Sequence, residues 1–273
     1  MIKNSNHYKE LYSHIPISRY ISAILGYAMY FGTNFCFLLI LPFLLVPILL
    51  SKTIRNFFFI KAYRFYLHFL TRTFLPLVKV YEIIEESDLP AITSGKPAIF
   101  IANHRSRLDG PIILSGLKET GVIMKSSYAR LPIFSLFVKH GNFISVDSSS
   151  IDLLQSAMQK CKELLKNGKN LLIFPEGSRS RSSKLLPFKE LAFRLSIETN
   201  TPIIPVVIHT DYPLMAKIEN SLFPPSMMKL TVRALSPIYS EPNERSTDYA
   251  DRVRKTMVKE IKKLDANTIW EYL

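Results

Sequence analysis

The hydropathy pattern is dominated at its start by one uncharged run. From Tyr20 to Ser51, 32 residues carry no formal charge, and FCFLLILPFLLVPILL lies within them. A straight helix of that length would reach about 48 Å, against a bilayer hydrocarbon core of about 30 Å. Pro42 and Pro47 are the expected breaks, since proline removes a backbone donor and clashes with the preceding turn. The pattern predicts a hairpin or re-entrant insertion over a tilted single span. The run is too long for a signal peptide, and no small-residue cleavage pattern closes it.

Beyond residue 90 the texture changes to short β-like segments alternating with helical ones. Strands are expected at Ala98–Ala102, Val122–Lys125, Phe143–Val146, Leu171–Phe174, Ile203–His209 and Leu230–Ala234, each apolar or β-branched and bounded by turn residues. Amphipathic helices are expected at Ile151–Lys166, Phe188–Glu198 and Asp248–Leu264. Asp152 stands in the first turn of the first helix and Asn167-Gly168 closes it, as helix ends require. Strands alternating with helices imply an α/β fold with a mixed, largely parallel sheet flanked by helices. The expected organisation is an N-terminal helical membrane-inserting element over residues 1–80 and one catalytic domain over 81–273.

Charge sharpens this division. Residues 1–80 hold nine basic side chains and one acidic, while the other 193 hold 26 and 21. Lys52, Arg55, Lys61, Arg64 and Arg72 are threaded among Phe57, Phe58, Phe59, Tyr63, Phe65, Tyr66 and Phe69. That mixture suits a helix in the headgroup layer of an anionic membrane, so residues 20–72 are expected to meet the membrane surface. Basic flanks on both sides of the apolar run place both ends on the cytoplasmic face. A nucleic-acid groove is disfavoured beside so long an uncharged run. The 48% hydrophobic content excludes intrinsic disorder. Two cysteines exclude a disulfide framework.

Two segments carry candidate chemistry, and each directly follows an apolar strand. The first is Asn103-His104-Arg105-Ser106-Arg107-Leu108-Asp109. Polar residues leaving a buried strand reach the carboxyl edge of the sheet, where ligands of open α/β sheets gather. On a continuous helix His104 and Asp109 would point about 140° apart, so the chain must loop for them to meet. In such a loop the aspartate can orient the imidazole and leave its other nitrogen as a base. The alternative is a helix-capping Asp109 ahead of Pro111, with His104 merely exposed. No G-x-S-x-G elbow occurs and neither cysteine is near His104 in sequence, so the pair would activate a hydroxyl of a substrate or of water.

The second segment is Phe174-Pro175-Glu176-Gly177-Ser178-Arg179-Ser180-Arg181. Gly177 permits close backbone approach, and Arg179 and Arg181 are planar forks suited to phosphate; a solvated basic loop is the alternative. Neither nucleotide-loop pattern is present. No His/Cys/carboxylate cluster has metal-ligand spacing, so no metal and no bound cofactor are expected.

NHRSRLD followed some seventy residues later by FPEGSRS resembles the 1-acyl-sn-glycerol-3-phosphate (lysophosphatidic acid) acyltransferase family of glycerolipid acyltransferases, over roughly residues 95–210. The resemblance implies the glycerolipid acyltransferase fold. It implies that His104 is the general base, oriented by Asp109, that deprotonates the acceptor hydroxyl. That oxygen attacks the thioester of acyl-CoA or acyl-carrier protein with no covalent acyl-enzyme, making phosphatidic acid in phospholipid biosynthesis. Glu176, Gly177 and Arg179 match the block that holds the phosphorylated acceptor. Lys125 matches a lysine implied to contact phosphate or oxyanion, and the segment from Thr201 to Val206 matches a fourth, structural block.

The chain departs from that pattern at three places. The second block, from Gly141 to Asp147, is followed by Ser148 where an arginine is usual; Ser183 replaces a glycine; and Glu190-Leu191 replaces a basic residue and glycine. The missing arginine leaves another lysophospholipid or an amino-acid lysolipid open as acceptor. A lipid hydrolase and a non-catalytic membrane-binding protein are the readings from other classes.

Overall fold

The computed structural model describes residues 15–44, 52–130, 132–147, 150–218, 226–266, 268 and 270. In chain order these form α1 (Ile17–Leu44), α2 (Lys52–His68), β1 (Tyr81–Glu86), β2 (Ile99–Ala102), α3 (Asp109–Gly116) and β3 (Thr120–Lys125). There follow α4 (Pro132–His140), β4 (Phe143–Val146), α5 (Ile151–Lys166), β5 (Asn170–Ile173), α6 (Leu191–Thr199), β6 (Ile203–Thr210), β7 (Met228–Ala234) and α7 (Ser246–Asp265). A wide π-helical turn, Phe69–Phe74, carries α2 towards β1.

Seven strands make one sheet in the order β1-β7-β6-β2-β5-β3-β4. Every neighbouring pair is parallel except β6 with β7. The mixed, largely parallel sheet is thus the one the sequence pattern implies. Its central strands read as unbroken apolar runs because both faces are covered. β2 (Ile-Phe-Ile-Ala) is fully buried, with Phe100 facing one core and Ile99 and Ile101 the other. On the first side the core includes Phe59, Leu67 and Leu70, from α2 and the turn after it, with Ile112 and Ile113 of α3. On the second it includes Cys161 and Leu165 of α5, Phe193 of α6, and Val253 and Met257 of α7.

β1 was not expected. Its sequence, Tyr-Glu-Ile-Ile-Glu-Glu, is too acidic to announce a strand. It forms because it is an edge strand, parallel to β7, and its carboxylates meet cations from distant elements. Arg233 of β7 binds Glu85 through Nε at 2.7 Å, and Arg72 pairs with Glu86. α4 was also unassigned, and α6 begins at Leu191 instead of Phe188.

The N-terminal expectations need correction in three respects. α1 runs through Pro42 to Leu44, the last described residue before Lys52, so Pro42 does not break it; Pro47 lies outside the described residues. Among the described residues no helix is long and apolar enough to cross a membrane, so the tilted single span has no support there. Two of the basic residues assigned to a membrane flank or face serve the fold instead. Arg19 donates to the carbonyls of Lys79 at 2.8 Å and Ser226 at 2.7 Å, and Arg72 donates to that of Ile112 at 3.1 Å.

Candidate active site

The parallel pairing of β2 with β5 aligns Ile99 with Leu171 and Ile101 with Ile173. The two strands therefore end side by side, and segments 72 residues apart in sequence leave the sheet together. A hydrogen bond makes the junction direct: the His104 N–H donates to Glu176 Oε1 at 2.7 Å. The Ser180 N–H donates to the His104 carbonyl at 2.7 Å, locking the two loops a second time.

Asn103 anchors the first loop. Fully buried, its side-chain amide exchanges two hydrogen bonds with the backbone of Ile208, at 2.9 and 2.8 Å. Satisfying both polar ends in this way makes the burial of an amide tolerable. Beyond it the chain loops, as a His–Asp contact requires. Asp109 Oδ2 accepts from His104 Nδ1 at 2.9 Å, from the Arg105 N–H at 2.8 Å and from the Ser106 N–H at 2.7 Å. The capping alternative fails, because Asp109 opens α3 itself and its carboxylate reaches back into the loop. A carboxylate only accepts, so Nδ1 donates this bond, and in the neutral imidazole Nε2 carries the lone pair. The His104 ring stacks on Phe174, with centroids 4.3 Å apart at 30°. Phe174, quoted in the motif, had no assigned role; its position straight after β5 was the available signal.

In the second loop, Glu176 is buried and Oε2 accepts from the Leu186 N–H at 2.9 Å. Burial pushes its carboxyl up to about 7, against the opposing pull of those backbone donors and of nearby His104 and Arg105. Gly177 has φ of +67°, where a Cβ is strained; one built there would also lie 2.9 Å from Lys189 Cε. Arg179 Nη1 donates to the Met215 carbonyl at 2.7 Å. Lys125 stands exposed at the end of β3. Ser148 lies outside the described residues.

Serines flank the His–Asp pair in these loops. Ser106 Oγ accepts from the Leu108 N–H, and Ser180 Oγ is engaged by the Ser182 and Lys184 carbonyls. Cys161 is buried on α5, with its thiol pushed up to about 12 by that burial; the side chain of Cys36 lies outside the described residues. No group of three or more potential metal ligands occurs among the described residues.

Sequence reasoning missed a further set of residues around Arg105. The guanidinium is buried and pairs with both oxygens of Asp265, at the end of α7, at 2.8 and 2.7 Å. It also donates to the Ser183 carbonyl at 2.7 Å and lies 4.2 Å from the ring centre of Trp270. The Trp270 indole N–H donates to the Thr210 carbonyl at 2.6 Å. The end of the chain thereby braces the residue next to His104.

Residues 81–209 match the acyltransferase family model. The chain is 34% identical over 181 residues to a 1-acyl-sn-glycerol-3-phosphate acyltransferase of Saccharomyces cerevisiae, covering 62% of this chain and 57% of that protein. A protein of the same name from Chlamydomonas reinhardtii is 29% identical over 185 residues, covering 67% of this chain and 53% of its own. The matched part thus spans a little over half the length of these relatives. The fold resembles that of the 1-acyl-sn-glycerophosphate (LPA) acyltransferase PlsC from Thermotoga maritima. The TM-score is 0.70 at 21% identity, over 92% of this chain and 98% of that one.

Proposed function

We propose, from the match of residues 81–209 to the acyltransferase family model, that the protein moves a fatty acyl group from a thioester to the free hydroxyl of lysophosphatidic acid. The observation that carries this is the 2.9 Å contact between His104 Nδ1 and Asp109 Oδ2, in a loop tied to the arginine-bearing segment. His104 Nε2 takes the proton of the acceptor hydroxyl as its oxygen attacks the thioester carbonyl carbon. The tetrahedral intermediate collapses, the carbon–sulfur bond breaks, and the imidazolium returns its proton to the departing thiolate. Asp109 holds the ring and stabilises the imidazolium. No acyl-enzyme is needed in this reading, because His104 acts on the acceptor hydroxyl directly. Arg179 and Lys125 meet the acceptor's phosphate, Gly177 lets the backbone approach it, and Glu176 fixes the His104 backbone. The donor is acyl-CoA or acyl-carrier protein.

Residues 81–273 form the catalytic domain in this reading, and residues 1–80 the membrane-associating element. Ile17, Ile21, Ile24, Phe31 and Phe35 are exposed along one face of α1, and Ile54, Phe58, Phe65 and Phe69 along one face of α2 and its continuation. The buried Ala23 and Gly26 turn the opposite side of α1 to the domain. Such stripes suit insertion into one leaflet from the cytoplasmic side without crossing. A small cleft of about 20 Å³, lined by Arg19, Ala23, Tyr27, Leu75, Leu108 and Met215, lies between α1 and the Leu108 end of the His104 loop.

The test is an acceptor panel on vesicles with purified protein. Phosphatidic acid formation from lysophosphatidic acid should exceed acylation of lysophosphatidylcholine or an amino-acid lysolipid, and His104→Ala should abolish it. Preference for either other acceptor would reassign the substrate.

A further inference from the structure

In the proposed reading Arg179 and Lys125 meet a phosphomonoester close to doubly charged, and Arg179 already spends Nη1 on a backbone carbonyl. The loop after β6 brings another cation to the same edge. β6 runs parallel to β2, so its carboxyl end emerges beside Asn103. Met215 then turns the chain with φ of +47°, and its carbonyl accepts from Arg179 Nη1 at 2.7 Å and from the Arg107 N–H at 3.3 Å. Ala216 forms an antiparallel bridge with Ser106, and Lys217 is the next residue, exposed.

The position of Lys217 also shows in its charge environment. Desolvation, and then repulsion from Arg179, Arg181 and Lys125, lower its ammonium below the ordinary lysine value. The charged groups it feels are all cations. Gathering four like charges at one edge costs energy that a bound anion would recover.

We propose that Lys217, held by the Met215–Ala216 turn, is a cation that binds the acceptor's phosphomonoester with Arg179 and Lys125. This rests on the acyltransferase reading and makes the loop after β6 a determinant of acceptor choice. The turn has no counterpart among the motif residues: it is fixed by the two loops it touches, so Lys217 follows whichever way they are held.

The experiment compares the full chain with Lys217→Ala and Lys217→Arg on vesicles at fixed salt. Expected for Lys217→Ala is a rise of about tenfold or more in acceptor KM, the worth of one charge-assisted contact, with kcat and donor KM within about twofold. Lys217→Arg should recover most of that loss. An unchanged acceptor KM would overturn the proposal. So would an equal rise for phosphate-free monoacylglycerol, which would make Lys217 a general membrane contact. Calorimetric binding of glycerol 3-phosphate separates this from the acyltransferase reading. If the parent chain turns over no lysolipid yet Lys217→Ala weakens that binding, only the reaction is wrong; equal binding, or none in the parent, overturns the role of Lys217.

Discussion

Asp109 gathers three donors on one carboxylate oxygen, and only one of them is the imidazole. Asp109→Asn should therefore lower kcat by about 10³-fold or more, with acceptor KM nearly unchanged, because it removes the charge that stabilises the imidazolium. Steady-state kinetics on folded protein check the split; a rise in KM at constant kcat would move Asp109 into binding. Glu176 makes a pH prediction. Its folded value of about 7 exceeds its ordinary 4.5, so between those limits the native state holds a proton that the unfolded chain releases. Stability then falls as pH rises through that window, by on the order of 3 kcal/mol. Glu176→Gln should flatten this slope in denaturant titrations at pH 5 and pH 7.5, even as the lost acceptor lowers stability at the acid end. A slope retained in the variant would assign it to another group.

At the scale of elements, the order of strands does the work that sequence distance conceals. The six expected strands were legible because buried central strands are apolar throughout and end at turn residues. Their adjacency was not: nothing in the spacing says that β2 lies between β6 and β5, yet this is what joins Asn103 to Ile208 and His104 to Glu176. β1 was hidden because Glu85 and Glu86 look solvated until Arg233 and Arg72 arrive. Lys217 was hidden because it stands in a motif-free loop. The buried Arg105–Asp265 pair was hidden because its partners are 160 residues apart. Burial alone would raise the Asp265 carboxyl, but the Arg105 guanidinium, with His209 beside it, outweighs that and lowers it. Its contribution is thus present near neutrality and lost in acid, as pH falls through the lowered value. Asp265→Ala should cost about 3–5 kcal/mol at neutral pH, since it strands a buried guanidinium; chemical unfolding of variant and parent measures it. A cost within about 0.5 kcal/mol, the usual limit for surface changes, would show the pair to be dispensable.

For the whole molecule, the proposed reading has the exposed stripes on α1 and α2 and the basic balance of residues 1–80 draw an anionic thioester and a bilayer-held acceptor to one surface. Replacing Ile24, Phe31 and Phe65 together by glutamate should reduce co-sedimentation with anionic vesicles by about tenfold or more. These side chains are exposed, so the thermal midpoint should move little; undiminished sedimentation would locate the membrane contact elsewhere. The measurement that bears most directly on the central claim is release of free thiol from palmitoyl-CoA, and in parallel from palmitoyl-acyl-carrier protein, with and without lysophosphatidic acid. The account predicts release from at least one donor that requires the lysolipid, matches phosphatidic acid formed, and vanishes in His104→Ala. Release that proceeds equally without the lysolipid would make the protein a hydrolase, and turnover retained in His104→Ala would remove the base on which the account depends.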